Sequence, residues 1–266
     1  RFAPAANYPY NADNPKTADP HTMPTPTFSS EAEFLAAYNI HDYDVPMSSV
    51  DVCIFTLHEQ RLKVLLVKRS DYPHKDRWAL AGGFIHIHED RELADTALRV
   101  LVKKTGVATP YLEQLATVGN NTRDPRGWSM TAVYFALIPY VELQQNGTET
   151  SQWLDVEQAL QLNLAFDHLD LLQQALTRVR GKVLYTLIPA HLIPSPFTLT
   201  ELQRVYETIM GHEIEKKSFR RRLEREQVLT DTGRIKQEGA GRPAALFTLK
   251  PECAEFTFKR QLESES

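Results

Sequence analysis

Three side chains on one face of a predicted helix decide what chemistry the middle of the chain can perform. The helix is predicted over residues 92–105 because its apolar residues recur at helical spacing, and positions 100, 103 and 104 share a face. Glutamates at such positions would together bind Mg²⁺, but this chain has Val100, Lys103 and Lys104 there, and two ammonium groups repel a metal ion. This helix face is therefore not expected to bind a metal ion. Lys103 and Lys104 would either pair directly with a bound diphosphate or simply stabilise the helix end through its dipole.

A basic helix near the C-terminus is the second candidate for a functional surface. Residues 216–242 hold nine Lys/Arg and four Asp/Glu, so this stretch carries +5 in a chain whose net charge is −4. Phe219 and Leu223 form its apolar stripe, and a helix that presents several guanidinium groups on its other side suits the major groove of DNA. The predicted DNA contacts are Lys217, Ser218, Arg220, Arg221, Arg222 and Arg225 on the helix, with Arg234, Lys236 and Arg242 in the hairpin after it. The alternative is a solvated helix whose arginines pair with Glu224 and Glu226.

Alternating strands and helices must position the first of these regions. A short helix is predicted at 31–37 after a serine cap, and the helix over 92–105 is followed by another at 167–180. The predicted strands are 50–57, 63–68, 78–85, 112–118 and 131–138. Strands that alternate with helices in this way favour an α/β or α+β sandwich.

The pattern changes past Gly181. Two predicted helices, 198–210 and 216–226, are separated by Gly211, and a glycine-rich loop then joins two short strands at 228–232 and 244–249. Helix, turn, helix and β-hairpin is the order of a winged helix-turn-helix domain. We predict a disordered tail over residues 1–28, one domain over 29–180 and the winged helix over 181–266.

Composition narrows the class of protein further. The 266 residues are 42% hydrophobic and 24% charged, which is typical of a globular chain with a core. No apolar run approaches the ~18 residues of a membrane span. Cys53 and Cys253 fit neither a metal spacing nor a disulfide framework, so we expect a reducing cytoplasm and no membrane contact. His86, His88 and Glu89 alternate in a loop with no further ligand nearby, so we predict no metal site there.

The glycine-glutamate-helix segment resembles a Nudix box. The family pattern is Gly, five residues, Glu, seven residues, then Arg-Glu-aliphatic-any-Glu-Glu-any-Gly-aliphatic, and its glutamates hold Mg²⁺ for attack on a diphosphate. This chain matches it at Gly83, Glu89, Arg99, Gly106 and Val107. The spacer before the arginine is two residues too long, and the family's three metal-binding glutamate positions hold Val100, Lys103 and Lys104. The resemblance therefore implies a Nudix domain without metal-dependent hydrolysis.

A degenerate Nudix domain followed by a winged helix resembles the NrtR family of transcriptional regulators of NAD metabolism. The segments that carry the resemblance are 63–69, 78–84, 112–115, 123–127, 165–168, 218–223 and 241–244. The resemblance implies a Nudix α/β/α sandwich with a mixed sheet, followed by the winged helix-turn-helix. It also implies a homodimeric repressor that binds palindromic operators of NAD synthesis or salvage genes, with ADP-ribose or a related nucleotide as effector and no cofactor.

The same resemblance places the effector pocket. The residues in pocket-lining segments are Arg69, Arg77, Gly82, Gly83, Arg123, Asp124 and Arg126, to which we add Lys103 and Lys104. Guanidinium groups suit a diphosphate and a carboxylate suits a ribose. Two alternatives stay open at this point: an active ADP-ribose pyrophosphatase, and a Nudix-like regulator that responds to a sugar.

Overall fold

The computed structural model describes residues 28–108, 111–143, 150–237, 243–259 and 262. The predicted tail over residues 1–28, apart from its last residue, and the predicted DNA contact Arg242 lie outside these ranges. None of the described helices is long and apolar enough to cross a membrane. The chain divides into two compact units, Arg1–Pro46 and Met47–Ser266.

The described part of the first unit contains a 3-10 turn at Ile40–Asp42 and, before it, the short helix α1 (Glu31–Ala37). The helix begins after Ser30, whose hydroxyl accepts a hydrogen bond from the backbone N–H of Glu33 at 3.2 Å. This N-cap satisfies a backbone donor that the helix itself cannot satisfy, and it confirms the predicted serine cap. No residue of α1 is buried.

The second unit begins with a six-stranded mixed sheet. Its strands are β1 (Met47–His58), β2 (Arg61–Lys68), β3 (Trp78–Phe84), β4 (Tyr111–Asn120), β5 (Ser129–Leu137) and β6 (Thr150–Asp155). The strand order is β4-β5-β1-β3-β2-β6; β1 and β5 are parallel, and the other neighbours are antiparallel. Five of the strands were predicted from the sequence. The edge strand β6 was not, because its six residues have no extended apolar pattern.

Helices cover both faces of this sheet. The helices are α2 (Leu93–Thr105), α3 (Val156–Ala159) and α4 (His168–Val183). On one face Ala97 and Leu101 of α2 pack with Val52 and Ile54 of β1, whereas α4 belongs to a larger core on the other face. A strand covered on both sides reads as a continuous apolar run, which is the pattern of β1. The predicted α/β/α sandwich with a mixed sheet is confirmed.

The C-terminal part of the same unit is a winged helix. It consists of α5 (Leu199–Met210), α6 (Lys216–Glu226), β7 (Leu229–Lys236) and β8 (Ala244–Leu249). Thr198 and Glu201 form a capping box at the start of α5, and Gly211 ends that helix with a positive φ of 78°. Phe219 of α6 is buried edge-on against Tyr206 of α5. The domain boundary near residue 181 falls in the last turn of α4 and stays a prediction.

Candidate functional site

A cavity of about 220 Å³ opens between β1, β3 and two loops of the Nudix-like part. Six of the nine predicted effector residues line it: Arg69, Gly82, Gly83, Arg123, Asp124 and Arg126. They come from separate strands and loops, so the fold alone brings them together. Three guanidinium groups around one cavity make it suitable for an anionic ligand.

Arg123 is the best-buried cation of the cavity. Its side chain is 5% exposed, and it donates from Nε and Nη2 to the two carboxylate oxygens of Asp167, both at 3.0 Å. Nη2 also lies 3.4 Å from Oδ2 of Asp51, which is itself buried. Two carboxylates therefore compensate this charge, and they hold the guanidinium in one orientation.

Asp51 also faces a histidine across the floor of the cavity. Nδ1 of His168 accepts a hydrogen bond from the backbone N–H of Leu80 at 2.9 Å, so the ring proton lies on Nε2, 3.6 Å from Oδ1 of Asp51. Burial lowers the pKa of His168 below its ordinary value. A Cβ atom at position 82 would stand 2.2 Å from Oδ1 of Asp51, so only glycine fits beside this carboxylate.

The other two guanidinium groups lie closer to the mouth of the cavity. Arg126 donates hydrogen bonds to the carboxylate of Asp124 from Nε at 3.0 Å and from Nη2 at 2.7 Å, and its guanidinium lies over the ring of Phe84. Burial raises the pKa of Asp124, but the hydrogen bonds from Arg126 outweigh burial, so the net shift is downward. Arg69 donates to the carbonyl of Pro73 at 2.7 Å.

Arg69 forms no ion pair with a described carboxylate. Its guanidinium instead lies 4.9 Å from the ring centre of Phe166, a residue held at a positive φ of 55°. Positive φ is unfavourable for a bulky side chain, and such strain persists where the surroundings demand it, often at a functional site. Burial, and then the charge of Arg126, lowers the pKa of Arg69, so this charge gains from an anion in the cavity.

The three remaining predicted effector residues lie outside this cavity. Arg77 is exposed and reaches Oδ1 of Asn163 at 3.4 Å, and Lys103 is exposed on α2. Lys104 lines a smaller neighbouring cavity of about 160 Å³, which shares Arg69 and Gly82 with the first. Of the lysine pair, only Lys104 is therefore placed near the candidate site.

The loop before α2 is held in place by Arg99 of that helix. Arg99 donates to Asp90 from Nε at 2.9 Å and from Nη2 at 2.5 Å, and Nη2 also donates to the carbonyl of Phe84. Hydrogen bonds from Arg99 hold the pKa of Asp90 well below its usual range. Among the described residues, no group of three or more His, Cys, Asp or Glu is placed to bind a metal ion.

The helix α6 presents a basic outer face. Phe219 and Leu223 are buried, whereas Lys217, Ser218, Arg221 and Arg225 are exposed, as the helical projection predicts. The N-cap residue of the helix is Glu215, whose carboxylate accepts hydrogen bonds from the backbone N–H groups of residues 217 and 218. Arg225 pairs with Glu226 at 3.0 Å, which is the contact expected from the solvated-helix alternative.

The remaining predicted DNA contacts differ in exposure. Arg234 is exposed on β7, while Lys236 reaches Oε1 of Glu201 at 2.7 Å and ties the hairpin to α5. Arg220 is half-buried, and its Nε has no hydrogen-bond partner among the described residues. Arg222 is half-buried with its guanidinium 3.9 Å from the ring centre of Phe258. Their contacts with DNA stay predictions.

Four residues with ionisable or aromatic side chains are among those of the cavity region that sequence reasoning missed. Asp51, Phe166 and His168 line the cavity, and Asp167 holds its central arginine. Asp51 carries a readable signal, because an aspartate between Val50 and Val52 of a strand buried on both faces is costly unless it has partners. The other three carry no such signal, although their segment contributed to the family resemblance.

Comparison with known proteins agrees with this architecture. A family model for the NrtR DNA-binding winged helix domain matches residues 189–249, and a model for the NUDIX domain matches residues 47–175. The chain is 50% identical over 238 residues to the "ADPR responsive transcriptional repressor NtrR" of Acinetobacter baylyi, an alignment that covers 89% of this chain and 95% of that protein.

Two solved structures of one bacterial protein are also similar. The crystal structure of Shewanella oneidensis NrtR complexed with a 27mer DNA is 47% identical, with a TM-score of 0.75 and coverage of 81% of this chain and 99% of that chain. The cocrystal structure of the NUDIX domain of the same protein complexed with ADP ribose is 47% identical, with a TM-score of 0.54 and coverage of 56% and 99%.

The fold and the two surfaces define a winged-helix transcriptional regulator that carries a Nudix domain. The match to the NUDIX model ends at residue 175, and the match to the winged helix model begins at residue 189. The chain belongs to the NrtR family.

Proposed function

We propose that this chain is a transcriptional repressor that binds DNA through its winged helix and is controlled by ADP-ribose in the Nudix cavity. The observation that carries the proposal is the meeting of Arg69, Arg123 and Arg126 with buried carboxylates around one cavity. Guanidinium groups match a diphosphate, and carboxylates match ribose hydroxyls. The Acinetobacter relative is named as ADPR responsive, and the Shewanella relative has been crystallised with DNA and, as its NUDIX domain, with ADP ribose.

We also propose that the Nudix domain binds without hydrolysing. Val100 is buried in the core beneath the sheet. Lys104 lines the smaller neighbouring cavity, which Arg69 also lines. A lysine there supplies positive charge to a diphosphate without a metal ion to activate water. The alternative, an ADP-ribose pyrophosphatase, has in its favour the Nudix fold and 29% identity over 118 residues to a protein of Methanocaldococcus jannaschii named "ADP-ribose pyrophosphatase".

Operator binding by this chain would require two copies. One winged helix contacts one half-site, and a palindrome places two half-sites about 34–36 Å apart or a multiple of that distance. We therefore propose a homodimer that acts in the cytoplasm on palindromic operators of NAD synthesis or salvage genes. The cavity would control that dimer only if ADP-ribose binds the DNA-free arrangement with a different affinity.

A reciprocal titration tests the proposal. Binding of a fluorescent duplex, taken from upstream of the gene for this chain and its neighbours, is measured with and without ADP-ribose. ADP-ribose affinity is then measured with and without saturating duplex. The first experiment gives the ratio of DNA affinities without and with ADP-ribose, and the second gives the ratio of ADP-ribose affinities without and with duplex. We expect the two ratios to be equal, because coupling between binding sites is reciprocal, and to lie at about 5–150-fold, the typical range. Equal affinities with and without the second ligand would refute control by the cavity.

Two variants locate the effector site. Arg69→Gln removes a cavity guanidinium, and we expect it to weaken ADP-ribose binding by about 1.5–3 kcal/mol, the usual range for hydrogen bonds to charged groups. Arg77→Gln is the matched control, because Arg77 is on the same loop but exposed outside the cavity. Equal losses in both variants would show that the ligand binds elsewhere.

Two further measurements separate the alternatives. ADP-ribose incubated with the protein and Mg²⁺ should release no AMP above background; turnover that disappears in Glu89→Gln would establish the pyrophosphatase instead. A thermal-shift panel should show stabilisation by ADP-ribose, with a ligand at 100 times its Kd adding about 2.7 kcal/mol. A larger shift with a free sugar or a sugar phosphate would favour the sugar-responsive regulator.

A further inference from the structure

The helix α4 joins the effector cavity to the helix α6 within one rigid element. Its N-cap residue Asp167 holds Arg123, and its first residue His168 lines the cavity. Sixteen residues at 1.5 Å each make α4 about 24 Å long. A ligand that forms hydrogen bonds with Arg123 competes with Asp167 for this guanidinium. Such a ligand therefore changes the contacts at the first turn of α4.

The other end of α4 is in contact with α6 through Arg222. Nη2 of Arg222 lies 3.4 Å from the carbonyl oxygen of Leu184, the C-cap residue of α4. The guanidinium also stacks on Phe258, and the backbone N–H of Phe258 donates to the carbonyl of Tyr185 at 2.7 Å. Arg222 therefore contacts two parts of the fold. One is the carboxyl end of α4, and the other is the segment around Phe258, which is hydrogen-bonded to Tyr185 just after α4.

Arg222 and its neighbour Arg221 lie in different environments. Arg221 is exposed and forms no ion pair with a described carboxylate, whereas Arg222 is half-buried against Phe258 and burial lowers its pKa. To reach a DNA phosphate, Arg222 would have to leave both the ring of Phe258 and the carbonyl of Leu184. A stacked guanidinium gains attraction from the ring that a solvated one lacks.

We propose that Arg222 is a positioning residue that ties α6 to the carboxyl end of α4 and thereby couples the cavity to the DNA-binding helix, rather than a DNA contact. This inference rests on the proposed function, since it concerns how ADP-ribose changes DNA affinity. The core contact between Tyr206 and Phe219 fixes α6 to α5. Arg222 adds the link from α6 to the helix that begins at the cavity.

The test compares Arg222→Gln with its matched control Arg221→Gln in the full chain. Affinity for the fluorescent duplex is measured across a salt series, with and without saturating ADP-ribose. For Arg222→Gln we expect the wild-type salt dependence and a coupling ratio reduced by about 2–30-fold, because residues between two sites modulate coupling to that extent. For Arg221→Gln we expect the salt slope to fall by about 0.9, the value for one phosphate contact, with the coupling ratio unchanged.

Two results would overturn the inference. One is a salt slope that falls in Arg222→Gln as it does in Arg221→Gln, with coupling retained. The other is a loss of thermal stability in Arg222→Gln with wild-type coupling, which would mean a structural role only. Arg222→Lys should restore part of the coupling, since it keeps a cation over the ring.

A second variant covers the case in which Arg222→Gln does not fold. Phe258→Leu keeps Arg222 and removes the ring on which it stacks, and it should lose coupling without a change in salt slope. Wild-type coupling in a folded Phe258→Leu protein would also contradict the inference. Failure of the proposed function is distinct, since the wild-type chain itself would then give a coupling ratio of one.

Discussion

Arginines define both functional regions of this chain, but their surroundings differ. In the cavity, Arg123 is 5% exposed, and its partners Asp51 and Asp167 are 9% and 19% exposed. On α6, Arg221 is exposed, and no described carboxylate forms an ion pair with it. The guanidinium of Arg123 is therefore held in one orientation before a ligand binds, whereas that of Arg221 is solvated.

The difference suits two kinds of anion. A fixed, desolvated guanidinium offers a rigid fork that discriminates by shape, as a small nucleotide requires. A solvated guanidinium can follow a phosphate backbone and gains affinity through release of counterions, so its contribution falls with salt. We therefore expect substitutions in the cavity to affect the fold as well as binding, and substitutions on α6 to affect DNA binding alone.

The largest effect is expected for Arg123→Met. This change leaves the buried Asp51 and the half-buried Asp167 without their cation, and breaking a buried pair typically costs about 3–5 kcal/mol. Urea unfolding followed by circular dichroism measures the free energy of unfolding, and calorimetry measures ADP-ribose binding. A loss below about 1 kcal/mol would mean that the pair is hydrated and that the cavity resembles the surface of α6 after all.

A smaller loss is expected for Gly82→Ala. The new methyl group would stand 2.2 Å from Oδ1 of Asp51 and 3.0 Å from the carbonyl oxygen of Val50, and overpacking of this kind costs about 1–3 kcal/mol. Gly181→Ala on α4 is the control, because its methyl group would meet nothing within 4 Å and alanine favours a helix. Equal stability of the two variants would show that Asp51 moves freely.

For α6, Arg221→Ala should change DNA affinity and leave the fold intact. We expect the loss of one phosphate contact to weaken DNA binding by about 1.5–3 kcal/mol, the usual range for hydrogen bonds to charged groups, with the free energy of unfolding within about 0.5 kcal/mol of the wild-type value. The anisotropy titration and the urea unfolding curve are measured on the same preparation. Destabilisation comparable to that of Arg123→Met would erase the distinction between the two regions.

The smallest effect concerns pH and belongs to the cavity. Because burial lowers the pKa of His168, the unfolded chain binds a proton near pH 6.5 that the folded chain resists. The contribution of His168 to stability is therefore complete above this pH and is lost as the pH falls below it, by at most about 1.4 kcal/mol per unit. Thermal unfolding between pH 5 and 8 should show a shallower dependence in His168→Gln; identical dependences would mean that folding leaves the pKa of His168 unchanged.

Much of the local structure was predictable because it depends on nearby residues. The helix α6 has the predicted bounds, since its apolar stripe and its end are encoded within the same dozen residues. The replaced glutamate positions were likewise readable, because a helix face follows from spacing alone. The strand β6 was missed, because an edge strand this short depends on its pairing with β2.

The sequence by itself determined the order of elements, the two domain types and the basic character of α6. Only the tertiary structure decided which charged residues meet: Asp51 and Arg123 are 72 positions apart, and their contact depends on the register of β1 against its neighbours. It likewise decided that Arg222 faces Phe258 while Arg221 faces solvent. Helical spacing gives the angle of a side chain around its own helix, but what covers that angle comes from distant segments of the chain.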